Sequence, residues 1–263
     1  MTYSDIVVAR ENRVGVITID RPQSNNSVRA ETMDEIRHAV ETLTEDVEVG
    51  ALVLTAAGKH FVTGAEFGFL QQLATTPALT VKDQVYRSFQ GAARALYHCP
   101  KPTLAAISGA AVTVGCELAL MCDFRIASET AFFQESWIKL GLLPPLGGMM
   151  LLPRLVGLGP ATDMVLRGRP MGAEEALRLG LVVEVVAAAD LPARRQAFAE
   201  ELTQAAPHAW AAAKLGLHRG LESTMEQEWA ANVLAQAMLI GSEDFKEGLD
   251  AVMNKRPPAF AGR

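Results

Sequence analysis

The sequence has no cluster of basic residues, little cysteine and no long apolar segment. Its 24 Lys and Arg residues are scattered and its formal net charge is −6, so it lacks the basic surface typical of proteins that bind nucleic acid or anionic membranes. No uninterrupted apolar run reaches the roughly 18 residues that span a bilayer. The N-terminus also lacks the apolar core and cleavage site of a secretory signal. We therefore expect a soluble protein with no nucleic-acid or membrane partner.

The three cysteines, Cys99, Cys116 and Cys122, form neither a CxxC pair nor a disulfide framework. Two of them lie in the most apolar part of the chain. Buried free thiols in a reducing cytoplasm are the simplest interpretation. The five histidines are far apart in the sequence and show no metal-binding spacing, so we expect no metal site.

Hydrophobic residues make up 49% of the 263 residues, enough for a sizeable core. The β-branched or apolar runs "RVGVITID", "VGALVLTAAG", "KPTLAAISG" and "DFRIAS" predict strands, and helical periodicity occurs between them. This alternation predicts parallel βαβ units, with a surface loop over residues 71–80. Strand signals end near residue 193, so we expect an α/β core domain over 1–192 and a helical region over 193–263.

Glu117 stands out because the stretch around it, "AAVTVGCELALMCDF", is almost entirely small or apolar. Carboxylates are rarely buried without a partner. A carboxyl in an apolar pocket has a raised pKa and can act as an acid or base near neutral pH. Two alternatives stay open at this point: a buried structural carboxylate whose partner is a backbone N–H or an arginine, and a residue on a solvent-facing side of the helix.

Five separated motifs occur in the order "ITIDRPxxxN", "GKHFVTGAEF", "KPTLAAISGAAVTVGCELALMCDFRIAS", "LGLLPPLGG" and "EDFKEGLDAVMNKRPPAF". Together they cover nearly the whole chain, and in this order they resemble the crotonase family of enoyl-CoA hydratases and isomerases. The resemblance implies an α/β fold, a crotonase-like spiral of ββα units with a helical C-terminal trimerisation region. It further implies activity on acyl-CoA thioesters and assembly as a homotrimer or a dimer of trimers.

Reactions beside a thioester carbonyl pass through an enolate, which requires fixed hydrogen-bond donors at the oxygen. By resemblance, these donors are the N–H groups of Ala65 and Val114, and Glu117 is the main acid or base. The family usually has glycine at the Val114 position. A valine keeps the backbone N–H and reduces the space for the ligand.

The second family glutamate is replaced by Trp137, which cannot transfer protons. Trp137 is either simple core or a wall of the acyl site. Glu135, two residues earlier, is a candidate substitute for the missing acid, although we favour a surface role for it. The candidate substrate-binding residues are Trp137, Gly64, Gly115, Glu135 and Pro144, with Glu135 included because its spacing from Trp137 in an extended segment points both to the same side.

Two further carboxylates and one histidine accompany these motifs. We interpret Glu66, after the first donor, as a cap of the following helix. Asp123 is interpreted as a hydrogen-bonded structural carboxylate. His60 is interpreted as a surface or loop residue.

The resemblance also assigns the coenzyme A contacts to the C-terminal motif. Lys255 and Arg256 match a basic element that reaches the nucleotide phosphates, and Phe260 is placed near the adenine. An ordinary basic tail is the alternative. No covalently bound cofactor is expected, because coenzyme A enters as part of the thioester substrate.

The leading functional hypothesis is an enoyl-CoA hydratase/isomerase-family enzyme of fatty acid metabolism. It would act through an oxyanion-stabilised enolate, with hydration, dehydration or double-bond isomerisation as the reaction. The Trp137 and Val114 departures motivate two alternatives. One is an acyl-CoA-binding protein with little or no turnover, and the other is a crotonase-fold hydrolase.

Overall fold

The structure, a computed structural model, describes residues 2–263, apart from the side chains of residues 84–86. Strands are numbered in chain order as β1 (Ile6–Glu11), β2 (Val14–Ile19), β3 (Ala51–Ala56), β4 (Thr103–Ile107), β5 (Ala110–Val112), β6 (Phe124–Ser128), β7 (Phe132–Gln134), β8 (Met171–Gly172) and β9 (Glu184–Val186). Helices are α1 (Ala30–Glu45), α2 (Phe67–Ala74), α3 (Ala78–His98), α4 (Val114–Leu120), α5 (Gly148–Val156), α6 (Leu158–Arg167), α7 (Ala173–Arg178), α8 (Leu191–Leu202), α9 (Pro207–Gly220), α10 (Met225–Ile240) and α11 (Glu243–Met253). Short 3-10 turns cover Pro22–Ser24 and Ser136–Leu140.

The larger sheet has the strand order β1-β2-β3-β4-β6-β9. Parallel pairing from β2 to β9 confirms the predicted βαβ character. The first strand is an exception, because β1 forms an antiparallel hairpin with β2 that the sequence analysis did not identify. Asn12 in its turn has a φ of 55°, a left-handed conformation that asparagine tolerates.

Successive turns of the chain repeat one pattern, in which a strand of the large sheet is followed by a short extended segment and then by a helix or helical turn. In the first two turns the extended segment is an isolated bridge residue, Val28 after β2 and Val62 after β3. In the next two it is β5 after β4 and β7 after β6. These extended segments pair in parallel with one another, as Val28 with Ala65, Val62 with Ala111, and β5 with β7. The result is the spiral of ββα units that the sequence analysis predicts.

The large sheet is buried on both faces, as its nearly continuous apolar strands require. One face packs on the main core, to which α1 contributes Met33, Ile36 and Val40. On the other face a second cluster joins Val14, Val53 and other strand residues to α8. Because α8 covers the sheet, the predicted boundary at 192/193 falls inside an element of the core. The C-terminal helical region that follows this sheet-covering helix begins with α9.

A surface loop is predicted over residues 71–80, and most of these residues are helical, so the prediction is wrong for them. Helix α2 continues to Ala74 and α3 begins at Ala78. Phe69 of α2 stacks on Phe89 of α3 with ring centroids 5.4 Å apart. This aromatic contact packs α2 onto α3, a tertiary contact that local composition does not reveal.

The described residues bear on the state of the cysteines, on membrane-spanning helices and on metal-binding groups. All three cysteines are buried and free, which confirms the free-thiol prediction. Within residues 2–263, the helices lack the combination of length and apolar character that a membrane crossing requires. In the same part of the chain, no group of three or more His, Cys, Asp or Glu side chains is placed to hold a metal ion.

At Gly115, α4 packs so closely on the Val62 segment that there is no room for a side chain. A Cβ built on Gly115 would lie 2.4 Å from the carbonyl oxygen of Val62. We expect Gly115→Ala to push α4 away from the Val62 segment and to lower the free energy of unfolding by about 1–3 kcal/mol. The matched control is Gly159→Ala in α6, where a new Cβ meets nothing within 4 Å. That control should be neutral or stabilising by up to about 1 kcal/mol. Chemical denaturation measures both, and equal effects of the two substitutions would contradict the packing interpretation.

Candidate active site

The pairing of Val62 with Ala111 places the two predicted oxyanion donors side by side. The Val62 N–H donates to Ala110 O at 3.0 Å, and the Val112 N–H donates to Val62 O at 2.8 Å. Ala65 and Val114 each follow the paired residues by three positions on these neighbouring parallel segments. Among the hydrogen bonds of the described residues, neither the Ala65 N–H nor the Val114 N–H is used. Two amide donors without a partner among the described residues thus lie on neighbouring parallel segments.

The turn before Val114 is conformationally strained. Thr113 has a φ of 49°, a left-handed value that is unfavourable for a β-branched residue. Its N–H donates to Gln134 O at 2.7 Å, which ties the turn to β7. Gly64 faces Thr113 so closely that a Cβ on Gly64 would lie 2.6 Å from the Thr113 Oγ1. The backbone strain of this turn is therefore at Thr113, and Val114 is the first residue of α4.

Glu117 lies one turn into α4 and its side chain is 0% exposed, so the solvent-facing alternative is wrong. Its Oε1 accepts hydrogen bonds from the N–H groups of Leu146 (2.8 Å) and Gly148 (2.9 Å). Its Oε2 has no partner among the described residues. Burial raises the pKa of Glu117 to about 7, against the lowering effect of the backbone amides. The carboxyl is thus half satisfied and titrates near neutral pH.

The surface role predicted for Glu135 is wrong. This residue is 0% exposed, and in the described part of the chain neither of its carboxyl oxygens has a hydrogen-bond partner. A Cβ built on Gly148 would lie 3.1 Å from Glu117 Oε1 and 3.3 Å from Glu135 Oε1, so the two carboxyls are neighbours. Burial, and then the Glu117 charge, raise the pKa of Glu135 well above its usual range. The physical reason for the error is that β7 turns inward at its end, which places Glu135 in the core.

Trp137 is buried, with 6% of its surface exposed, in the 3-10 turn that follows Glu135. Within residues 2–263 its indole N–H finds no acceptor in hydrogen-bonding geometry. The indole and the Cys116 thiol nevertheless lie close enough to Glu135 to lower its pKa, against the larger effect of burial. Trp137 therefore belongs to the core and also borders the pair of carboxyls.

The loop that holds Glu117 also borders a cavity of about 320 Å³. Helix α3 forms the opposite wall, and Gln90 of that helix donates to Pro145 O at 2.9 Å. Sequence reasoning missed these contributors, since only the Gly/Pro-rich motif "LGLLPPLGG" pointed to this loop. Pro144 of that motif is buried, one residue before the cavity lining. The residues that line the cavity near the loop are Gln90, Tyr97, Met121, Pro145, Leu146 and Gly147.

The other sequence-predicted residues have structural partners. Glu66 occupies the N-cap position of α2 without a capping hydrogen bond, and its carboxylate instead pairs with Arg21 at 2.8 Å, so its capping role is wrong. Asp123 accepts from the Thr103 N–H and from Lys214, which confirms a structural carboxylate. His60 is half-buried and accepts from the Ala110 N–H at 3.1 Å.

The C-terminal residues are not brought to Glu117 within a single chain. Arg256 pairs with Glu247 at 2.6 Å and with Asp250 at 2.7 Å, both on α11. Phe260 approaches Gly248 of α11, where an added Cβ would lie 3.4 Å from its ring. Lys255 is exposed beside them. These residues cluster around α11, which packs on α10.

Sequence comparisons place the chain among known enzymes. A family model described as enoyl-CoA hydratase/isomerase matches residues 9–263. A probable enoyl-CoA hydratase of Mycobacterium tuberculosis is 38% identical over 263 residues and covers 100% of each chain. A crotonyl-CoA hydratase of Syntrophomonas wolfei is 32% identical over 267 residues, again with 100% of each chain covered.

Solved structures give the same result. A putative enoyl-CoA hydratase from Streptomyces coelicolor superposes with a TM-score of 0.94 at 30% identity, covering 100% of this chain and 96% of that one. An enoyl-CoA hydratase from Bacillus anthracis gives a TM-score of 0.91 at 30% identity, covering 99% and 100%. The predicted crotonase-like α/β fold is thus confirmed.

The raised pKa of Glu117 predicts a pH dependence of stability. Because its folded-state pKa is about 7 and the ordinary glutamate value is 4.5, its contribution is fully present below pH 4.5 and is lost as the pH rises through 7. Glu117→Gln keeps an oxygen for the two amides and removes the titration. We expect the fall in unfolding free energy between pH 5 and pH 8 to be smaller in the variant by up to about 3 kcal/mol.

Urea denaturation at the two pH values measures this difference. The exposed Glu129→Gln serves as the control and should keep the wild-type slope. Identical slopes for wild type and Glu117→Gln would contradict a raised pKa at Glu117.

Proposed function

The chain belongs to the enoyl-CoA hydratase/isomerase family, and from this premise we propose that it adds water across the 2,3-double bond of an enoyl-CoA thioester. The reverse dehydration uses the same site. The observation that carries the proposal is the buried Glu117 carboxyl, which titrates near pH 7 one helical turn after an unused amide donor. Its position provides an acid or base beside a site for a developing oxyanion.

The amides of Ala65 and Val114 are the proposed oxyanion donors. They lie on neighbouring parallel segments, and Val114 is the first residue of α4, where the helix dipole favours negative charge. The thioester oxygen becomes anionic when water adds to the β carbon, so donors fixed before the reaction stabilise the transition state more than the ground state. Gly64 and Gly115 support this arrangement through their close approach to Thr113 and Val62.

The cavity beside Leu146 and Gly147 is the proposed acyl site. Its volume of about 320 Å³ lies within the range of small-molecule sites. It borders the loop whose amides hold Glu117, and its lining combines Tyr97 and Met121 with the charged side chains of Arg94 and Glu222. The residues Ala65, Val114 and Glu117 are not part of this lining. Trp137 and Pro144 are buried and do not line this cavity, and their proposed role in shaping the acyl site rests on the family resemblance.

The assembly is proposed to be a homotrimer or a dimer of trimers. Every residue of α10 is at least partly exposed, including Trp229, Val233 and Met238, which are 59%, 67% and 80% exposed. A helix with large apolar side chains on its surface requires a partner in water. A second chain that covers α10 would remove this exposed surface.

Coenzyme A is proposed to be bound as part of the substrate, with help from the C-terminal residues of a neighbouring chain. Lys255 and Arg256 supply the positive charge for the phosphates, and Phe260 supplies an aromatic surface for the adenine. Arg256 would have to exchange its partners Glu247 and Asp250 for phosphate oxygens. The three free thiols support a reducing, cytoplasmic location.

Glu117→Gln tests the reaction. We expect kcat for hydration of crotonyl-CoA and of an aromatic enoyl-CoA to fall by about a hundredfold or more, while thioester binding is kept. Glu129→Gln, an exposed change of the same kind, should retain activity. Tight thioester binding by a wild type that turns over neither substrate would overturn the proposal and favour the binding-protein hypothesis.

Val233→Glu together with Met238→Glu tests the assembly. Sedimentation of the wild type should give a multiple of three of the 28.2 kDa chain, and the double variant should sediment as a single chain. Val47→Glu is the control, since Val47 is 86% exposed in the turn that follows α1 and its substitution should leave the mass unchanged. A monomeric wild type would rule out the trimer.

A further inference from the structure

Glu135 is the buried polar group that the proposed function leaves unexplained. Both of its oxygens are buried, and among the described residues neither has a hydrogen-bond partner. Such burial costs free energy that a purely structural residue would recover through hydrogen bonds. Strongly perturbed carboxyls without structural partners are typical of reaction centres.

The position of Glu135 connects it to both parts of the site. Gln134, its immediate neighbour, accepts the Thr113 N–H at 2.7 Å and so fixes the turn that presents the Val114 amide. The Glu135 carboxyl lies beside that of Glu117, with Gly148 against both. An added Cβ on Gly148 would approach both carboxyls, so the glycine leaves room for them to lie together.

We propose that Glu135 is a second catalytic residue, which donates a proton to the α carbon of the enoyl thioester while Glu117 accepts a proton from the attacking water. This inference rests on the proposed hydration reaction. The second carboxyl of the site would then lie two residues before Trp137, which occupies the position of the second family glutamate.

The hydrogen bonds assign the two roles. Two backbone amides donate to Glu117, which favours its ionised form and makes it the base. Glu135 lacks such donors among the described residues and stays protonated, which makes it the acid. Two neighbouring carboxyls do not both ionise readily, so the pair carries one proton between them. The Cys116 thiol also faces Glu135, and burial raises the pKa of this thiol well above its usual range.

The step balances with this single shared proton. As the C–O bond forms at the β carbon, the O–H bond of water breaks and Glu117 takes the proton. The electrons of the double bond move to the thioester and form the enolate, which the Ala65 and Val114 amides hold. The α carbon then takes the proton of Glu135. Transfer of a proton from Glu117 to Glu135 restores the starting state.

Trp137 is a positioning residue in this scheme. Its indole lies beside the Glu135 carboxyl and fills the space next to it. Trp137→Phe keeps an aromatic ring and removes the N–H. We expect this variant to change the pH profile more than the KM, because it alters the environment of the acid and keeps an aromatic ring of similar shape at the acyl site.

Glu135→Gln is the decisive variant, measured in the full-length protein with crotonyl-CoA. We expect kcat to fall by about a hundredfold with KM nearly unchanged. In the wild type the acidic limb of the pH profile reports protonation of the base, and the alkaline limb reports loss of the shared proton. The alkaline limb should disappear in Glu135→Gln.

Three outcomes separate the inference from the proposed function. Loss of activity in Glu117→Gln together with near wild-type kcat and both limbs in Glu135→Gln would overturn the role of Glu135 alone. A wild type without turnover would overturn the proposed function. If Glu135→Gln fails to fold, infrared spectroscopy of the wild type at pH 8 takes its place. A protonated-carboxyl C=O band supports the inference, and its absence contradicts it.

Discussion

The parallel pairing of Val62 with Ala111 is the constraint on which the candidate site depends. It joins two successive turns of the spiral and brings Ala65 level with Val114. Gly115 contacts Val62 at a distance that permits no side chain, so α4 is held at a fixed height above the pairing. Glu117 then follows from the helix repeat, one turn beyond the first amide. Backbone geometry thus positions the two amides and the backbone of Glu117, and the amides of Leu146 and Gly148 hold its carboxyl.

The two buried carboxyls differ in the hydrogen bonds that stabilise their charged forms. A single Glu117 carboxylate in this core is stabilised by the amides of Leu146 and Gly148, in a loop 29 and 31 residues further along the chain. Glu135 draws no comparable support from the residues described here, and its neutral form is therefore favoured. The asymmetry between the carboxyls comes from one loop, because its N–H groups point to only one of them. Hydrogen-bond direction thus separates two chemically identical side chains.

Sequence patterns predicted the repeating elements well, because apolar periodicity and β-branched runs report burial of local segments. Motif order predicts Ala65, Val114 and Glu117 as site residues, and the structure has Ala65 and Val114 on neighbouring parallel segments with Glu117 one helical turn after Val114. The location of Glu135 was wrong, since alternation along a three-residue strand gives no signal of which way the chain turns afterwards. The amides of Leu146 and Gly148 had no signal at all, because backbone donors carry no residue identity. The contact between α2 and α3 likewise depends on Phe69 meeting Phe89, a tertiary event.

The packing of α8 on the far face of the large sheet also governs when the chain can fold. Asn12, in the first hairpin, donates to Glu200 of α8 at 2.7 Å, and Arg195 of the same helix pairs with Glu11. These contacts join positions more than 180 residues apart. During synthesis the apolar residues Val14 and Val53 stay uncovered until Leu191–Leu202 has left the ribosome. The fold therefore includes contacts of very large sequence separation, and this face of the nascent sheet is covered only when α8 packs on it.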